Sequence, residues 1–169
     1  MFTISTGSGI LARSLPGDRF DLAPLLRLTS VDGRNISPSV FQGQIVPVAF
    51  LCGCDRCHAF ASQWARQQRQ RSTGTERVII VFSGDSVAAK TFAAETMLDS
   101  TRTLILCDPH ASAKAKYDVN ACPCVIVVDK AADILYRNQA PEVYSERLPD
   151  GFMSGLMGAL TKGQPKKTI

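Results

Sequence analysis

Three of the chain's six cysteines fall within six residues, Cys52-Gly53-Cys54-Asp55-Arg56-Cys57, and that run separates two segments of different periodicity. Before it, Ile45-Val46-Pro47-Val48-Ala49-Phe50-Leu51 is a nearly continuous apolar stretch, the pattern of a strand covered on both faces. Pro47 is its one irregularity, because proline cannot donate to a ladder and marks an edge or a strand start. After the run, residues 54–71 contain no Gly or Pro, and Cys57, Phe60, Ala61, Trp64 and Ala65 recur at helical spacing. The pattern predicts an amphipathic helix that opens at the cysteines. Cys54 and Cys57, three residues apart, then share one side of the first turn and can reach disulfide geometry with little backbone movement.

The rest of the chain alternates strands and helices. Residues 77–82 read as a second buried strand and 86–98 as a helix with Asp85 as its N-cap. A third strand is expected over 103–106, a short helix over 111–117 and a fourth strand over 125–128. Asp129-Lys130-Ala131-Ala132-Asp133 turns that strand back into 134–136 as a hairpin. A last helix covers 148–160, with Pro149 and Gly151 placing its true start near Asp150. Residues 25–36 alternate loosely around Asp32-Gly33, which predicts a short hairpin ahead of the main fold. This pattern indicates an α/β domain of four or five strands with parallel strands at its centre and helices on both faces.

A chain of 169 residues that is 45% hydrophobic and 20% charged fits one domain with a real core. Its expected limits are 21–162, with a loose lead-in over 1–20 and a polar tail over 163–169. The net charge of +4 comes with no basic run except Lys166-Lys167, so no nucleic-acid footprint is indicated. Residues 1–20 lack the continuous apolar core of a signal peptide, and no stretch is suited to span a membrane. With Met1 as the native start the expected location is cytoplasmic; a trimmed leader would allow the periplasm. In a reducing compartment, clustered cysteines point to catalysis or metal rather than to structural bridges.

Reactivity follows from position. Unpaired backbone N–H groups and the dipole at a helix start favour a thiolate at Cys54 over a thiol. Arg56 would add positive charge there, and Asp55 would subtract from it. Thiolate is the attacking species in exchange, so Cys54 is the expected nucleophile and Cys57, one turn deeper, the resolving thiol. Cys52, Cys107 and Cys124 read as packing residues at strand ends. Asp108 and Asp129 read as turn and cap residues, Trp64 as core, and Arg66, Arg69 and Arg71 with Gln67, Gln68 and Gln70 as a solvated helix face. His58 and His110 are assigned no role.

These residues resemble the thioredoxin-like redoxins, including the TlpA/ResA type and the AhpC/TSA group, over residues 22–160. The resemblance is carried by the Asp32-Gly33 hairpin, the apolar run at 45–51, Cys54-Asp55-Arg56-Cys57, and Cys107-Asp108-Pro109 before a short helix ending in Tyr117-Asp118-Val119. Cys122-Pro123-Cys124-Val125-Ile126-Val127-Val128-Asp129 completes it. It implies a thioredoxin-like fold with a central mixed β-sheet flanked by helices and an N-terminal β-hairpin extension. It further implies a thiol-disulfide oxidoreductase that needs no cofactor and acts on a protein or low-molecular-weight thiol or disulfide. Pro123 would be the cis-proline opposite the redox pair, with Cys122 before it binding an extended partner segment through its backbone and bringing a third thiol near Cys54. The chain departs from the family pattern in having Gly53 where an aromatic often stands, Asp-Arg between the cysteines, and Ser62 near a usual helix-kinking proline.

Two other chemistries fit the same residues. Cys52, Cys54, Cys57 and Cys122 could present four thiolates on one face, the ligand count of a zinc or iron-sulfur site, although separated CxxC knuckles are missing. A peroxiredoxin-like antioxidant activity would use Cys57 as the peroxide-reactive thiol, although the Thr and Pro of that motif are absent.

Overall fold

The computed structural model describes residues 18–41, 44–71, 77–142 and 146–163. Its elements in chain order are α1 (Ala23–Leu26), β1 (Thr29–Ser30), a 3-10 turn (Pro38–Phe41), β2 (Val46–Leu51), α2 (Asp55–Gln70), β3 (Val78–Phe82) and α3 (Ser86–Thr96). They continue with β4 (Thr103–Cys107), α4 (Ser112–Lys116), β5 (Cys124–Val128), β6 (Ile134–Gln139) and α5 (Phe152–Gly163). One sheet of six strands runs in the order β1-β4-β3-β2-β5-β6. The central β4, β3 and β2 are parallel, and β5, β6 and β1 join antiparallel.

Both faces of this sheet are covered, and strand alternation sorts side chains between two cores. From β2, Val46, Val48 and Phe50 enter the layer under α1 and α4, together with Leu25, Ala113 and Tyr117. Ala49 and Leu51 point the other way, against Cys57, Phe60, Ala61 and Trp64 of α2, Phe92 of α3 and Phe152 and Leu156 of α5. Double coverage is why β2, β3 and β5 read as apolar runs without polar alternation. Pro47 is accommodated near the start of β2, where pairing with β3 begins only at Val48.

Several boundaries follow local chemistry. Asp85 caps α3, its carboxylate accepting from the Ala88 N–H at 2.8 Å. Gly33 takes a positive φ of 76° in the turn between Thr29 and Asn35, which form an isolated antiparallel bridge. The expected N-terminal hairpin extension is therefore reduced. Its first half holds the short helix α1, opened by Pro24 in the first turn, and only Thr29–Ser30 form a strand. That strand adds to the sheet edge beside β4 rather than projecting from the fold. The lead-in expected over 1–20 lies outside the described residues up to Gly17, as does the tail from Gln164 onward.

Candidate redox site

The site forms where β2 ends. Leu51 closes the strand, and Gly53 turns the chain with φ of 81°, a backbone angle that costs a non-glycine residue energy. A Cβ at Gly53 would also lie 3.4 Å from the Phe82 ring. Cys54 follows as the N-cap of α2 in extended conformation. Sixteen helical residues follow, so the dipole and the unpaired N–H groups of a long helix converge at this thiol. The opposite wall is the Cys122-Pro123 peptide, which is cis. The Pro123 carbonyl accepts from Ala140 N–H at 2.9 Å, which ties this loop to the end of β6.

The structure brings four sulfurs together here: those of Cys52, Cys54, Cys57 and Cys122 all lie within 4.8 Å of one another. Cys52 and Cys122 are joined as a disulfide with Cα atoms 6.4 Å apart. Cys54 and Cys57 are free thiols whose sulfurs stand 3.5 Å apart, close enough to share a proton. The Cys57 sulfur is also 3.9 Å from that of Cys52 and accepts from the Cys52 N–H at 3.3 Å.

The two free thiols differ in environment. Cys54 is half-buried, whereas Cys57 is 0% exposed. Burial, opposed by the Cys52 N–H and reinforced by the neighbouring Cys54, pushes the Cys57 thiol from the ordinary 9.0 up to about 12. This environment suits a resolving thiol, which must stay protonated and hidden until a neighbour is modified. A peroxide-reactive cysteine needs an accessible thiolate, which the burial of Cys57 disfavours.

The flanking residues are arranged differently from expectation in part. Asp55 is exposed in the first turn of α2. Arg56 is buried and donates to the Pro141 carbonyl at 2.9 Å, bracing the helix start against the segment after β6. His58 lies edge-on to Phe92 and 3.7 Å from Glu95, away from any ligand role. Gln68, expected on a solvated face, is 2% exposed; it falls four residues after Trp64, so the buried stripe of α2 extends through it.

The remaining expected residues take structural places. Cys107 packs in the core at the end of β4, where burial raises its thiol pKa. Cys124 lies in the core on the opposite sheet face from Cys57 and Cys122, and burial lifts its thiol to about 11. Cys122 precedes β5, across the cis Cys122-Pro123 peptide, so it does not continue the strand's alternation and lies on the other side from Cys124. The buried Asp108 carboxylate accepts from the N–H of Ser112 at 2.9 Å, the hydroxyl of Ser112 at 3.1 Å and the N–H of Lys114 at 3.0 Å, holding the start of α4. Asp129 accepts from the N–H groups of Ala131 and Asp133 at 2.8 and 2.9 Å in the β5–β6 turn.

Sequence reasoning missed the Cys52–Cys122 bridge, having assigned Cys52 to packing. The signal is in the register. Antiparallel β2 and β5 pair Val46 with Val128 and Phe50 with Cys124, so two residues beyond the ladder position 52 faces position 122.

No protein-family model matches the chain, and no curated protein matches it in sequence. Among solved structures, a secreted disulfide oxidoreductase of Mycobacterium tuberculosis homologous to E. coli DsbE superposes with a TM-score of 0.64 at 16% identity, over 85% of this chain and 99% of that one. A thiol-disulfide isomerase from Corynebacterium glutamicum gives 0.60 at 22% identity, over 83% and 97%. The exposed lipoprotein thioredoxin of Streptococcus pneumoniae gives 0.53 at 20% identity, over 80% and 96%. The fold is thus thioredoxin-like, as the sequence resemblance implied, with a six-stranded mixed sheet flanked by helices.

Proposed function

We propose that the protein is a thiol-disulfide oxidoreductase that exchanges electrons with a protein or low-molecular-weight thiol partner through Cys54 and Cys57. The observation that carries this reading is half-buried Cys54 at the start of a long helix, its sulfur 3.5 Å from that of buried Cys57. In the reducing direction, the Cys54 thiolate attacks one sulfur of the partner disulfide, and the other sulfur leaves with the electron pair and takes up a proton. Cys57 loses its proton and displaces the partner from Cys54. The products are a Cys54–Cys57 disulfide and a partner dithiol, with two electrons and two protons transferred. Cys122 and Pro123 form the wall along which an extended partner segment lies, by the family resemblance. The solved structures of similar fold include proteins described as a disulfide oxidoreductase and a thiol-disulfide isomerase, which supports the same class.

Cys54→Ser should abolish disulfide reduction, and Cys57→Ser should accumulate mixed disulfides with the partner, seen as bands lost on reduction. Full and equal activity of both variants would reject the assignment.

A second reading rests on the four sulfurs within 4.8 Å. With Cys52–Cys122 reduced, they match the donor count of a tetrathiolate zinc or iron-sulfur site. As a disulfide, that pair leaves only two thiols, so metal binding requires prior reduction. Metal content of protein purified under reducing conditions separates the readings.

Among the described residues, no helix is long and apolar enough to cross a membrane. The cytoplasm is the compartment proposed from the sequence. It accommodates a Cys52–Cys122 pair that cycles, since cytosolic disulfides are transient and catalytic, whereas a permanently oxidised pair belongs to an oxidising compartment. Alkylation of cysteines in intact cells distinguishes the two.

A further inference from the structure

We propose that Cys52 and Cys122 form a second redox pair that exchanges internally with Cys54 and Cys57, so that the domain holds four electrons rather than two. The inference rests on the oxidoreductase reading and extends it to residues that reading does not use as thiols. Its basis is the placement of a disulfide and a dithiol in one cluster, with the Cys57 sulfur 3.9 Å from that of Cys52 and 3.5 Å from that of Cys54. Cys57 is the buried junction through which the two pairs communicate. Exchange between them needs no large movement, because every sulfur is within 4.8 Å of every other.

The steps balance without an outside reagent. After a turnover in the reducing direction, Cys54 and Cys57 are joined, and Cys52 and Cys122 are thiols. The Cys52 thiolate attacks the Cys57 sulfur, a Cys52–Cys57 bond forms, the Cys54–Cys57 bond breaks, and Cys54 leaves with the electron pair. The Cys122 thiolate then attacks the Cys52 sulfur, Cys52–Cys122 forms, and Cys57 leaves with the pair and takes up a proton. One disulfide is present throughout. Two electrons have moved from the Cys52 and Cys122 pair to the Cys54 and Cys57 pair, and the nucleophile is restored for a second turnover. The Cys52–Cys122 disulfide with free Cys54 and Cys57 is the end state of this transfer.

The test uses fully reduced, metal-free protein and a small disulfide acceptor, dithiobis(nitrobenzoic acid), with acid quench, alkylation and mass mapping. The wild type should deliver four electrons per chain, with Cys52–Cys122 the disulfide found after one equivalent has reacted. Cys52→Ser should deliver two, and Cys122→Ser, unable to complete the transfer, should accumulate Cys52–Cys57. Delivery of two electrons by the wild type, with Cys54–Cys57 persisting and Cys52 and Cys122 still thiols, would overturn the relay while leaving the oxidoreductase reading intact. A Cys52–Cys122 bond that resists the initial reduction while Cys54 and Cys57 turn over unaided would likewise make it a fixed bridge. Absence of any Cys54–Cys57 or mixed disulfide would instead sink the underlying reading.

Discussion

With the Cys52–Cys122 disulfide closed, the two remaining thiols of the cluster should differ sharply toward iodoacetamide. The reactive species is the thiolate, and moving a thiol from 9.0 to about 12 lowers its thiolate population near neutral pH by about a thousandfold. The Cys57 side chain is also 0% exposed, so alkylation has to wait for an opening of the helix start. Native Cys57 should therefore react at least ~10³-fold more slowly than the same cysteine in the denatured chain. Half-exposed Cys54 should label first and completely. A time course in the native protein without reductant, quenched and mapped by mass, reads both sites. The Cys57 rate should climb about tenfold per pH unit until pH approaches 12. Native Cys57 that reacts within a few-fold of its denatured rate at pH 7 would refute both the burial argument and the division of roles.

The same shift has a stability consequence. Folding favours the neutral Cys57 thiol, so its contribution is complete below the unfolded value of 9.0 and is lost as pH rises toward about 12. This amounts to roughly 4 kcal/mol over that window, read as a falling midpoint in urea titrations; a flat profile would contradict it. Gly53→Ala should destabilise by about 1–2 kcal/mol in urea denaturation, from the positive φ. Asp108→Ala removes the acceptor for two backbone N–H groups and the Ser112 hydroxyl and should cost about 1–3 kcal/mol in chemical denaturation. Cys124→Ala, on the far face of the sheet, should leave the number of electrons delivered unchanged.

The sequence carried most of the fold because both periodicities were strong. The apolar run into β2, the helical spacing of Phe60, Ala61 and Trp64, and Asp85 before α3 each specify an element by local chemistry, and the structure places them as expected. What was lost depended on contacts distant in the chain. Residues 25–36 alternate only weakly, so their hairpin is kept only around Gly33, where Thr29 bridges Asn35, while its first half is a helix and Thr29–Ser30 pair with β4. Gln68 looked solvated because polarity outweighs position in a single-sequence reading, yet its place on the helix aims it inward. Cys52 and Cys122 are 70 residues apart, and only the β2–β5 register brings them opposite. Cys54 and Cys57 were legible because both lie in one turn.

The central claim is tested most directly by a glutathione redox titration of purified protein of known metal content, with all six cysteines alkylated after acid quench and mapped by mass. The account predicts metal-free protein in which Cys54 and Cys57 oxidise together as a two-electron couple. Stoichiometric metal that protects Cys52, Cys54, Cys57 and Cys122 from alkylation would contradict it and make the cluster a metal centre.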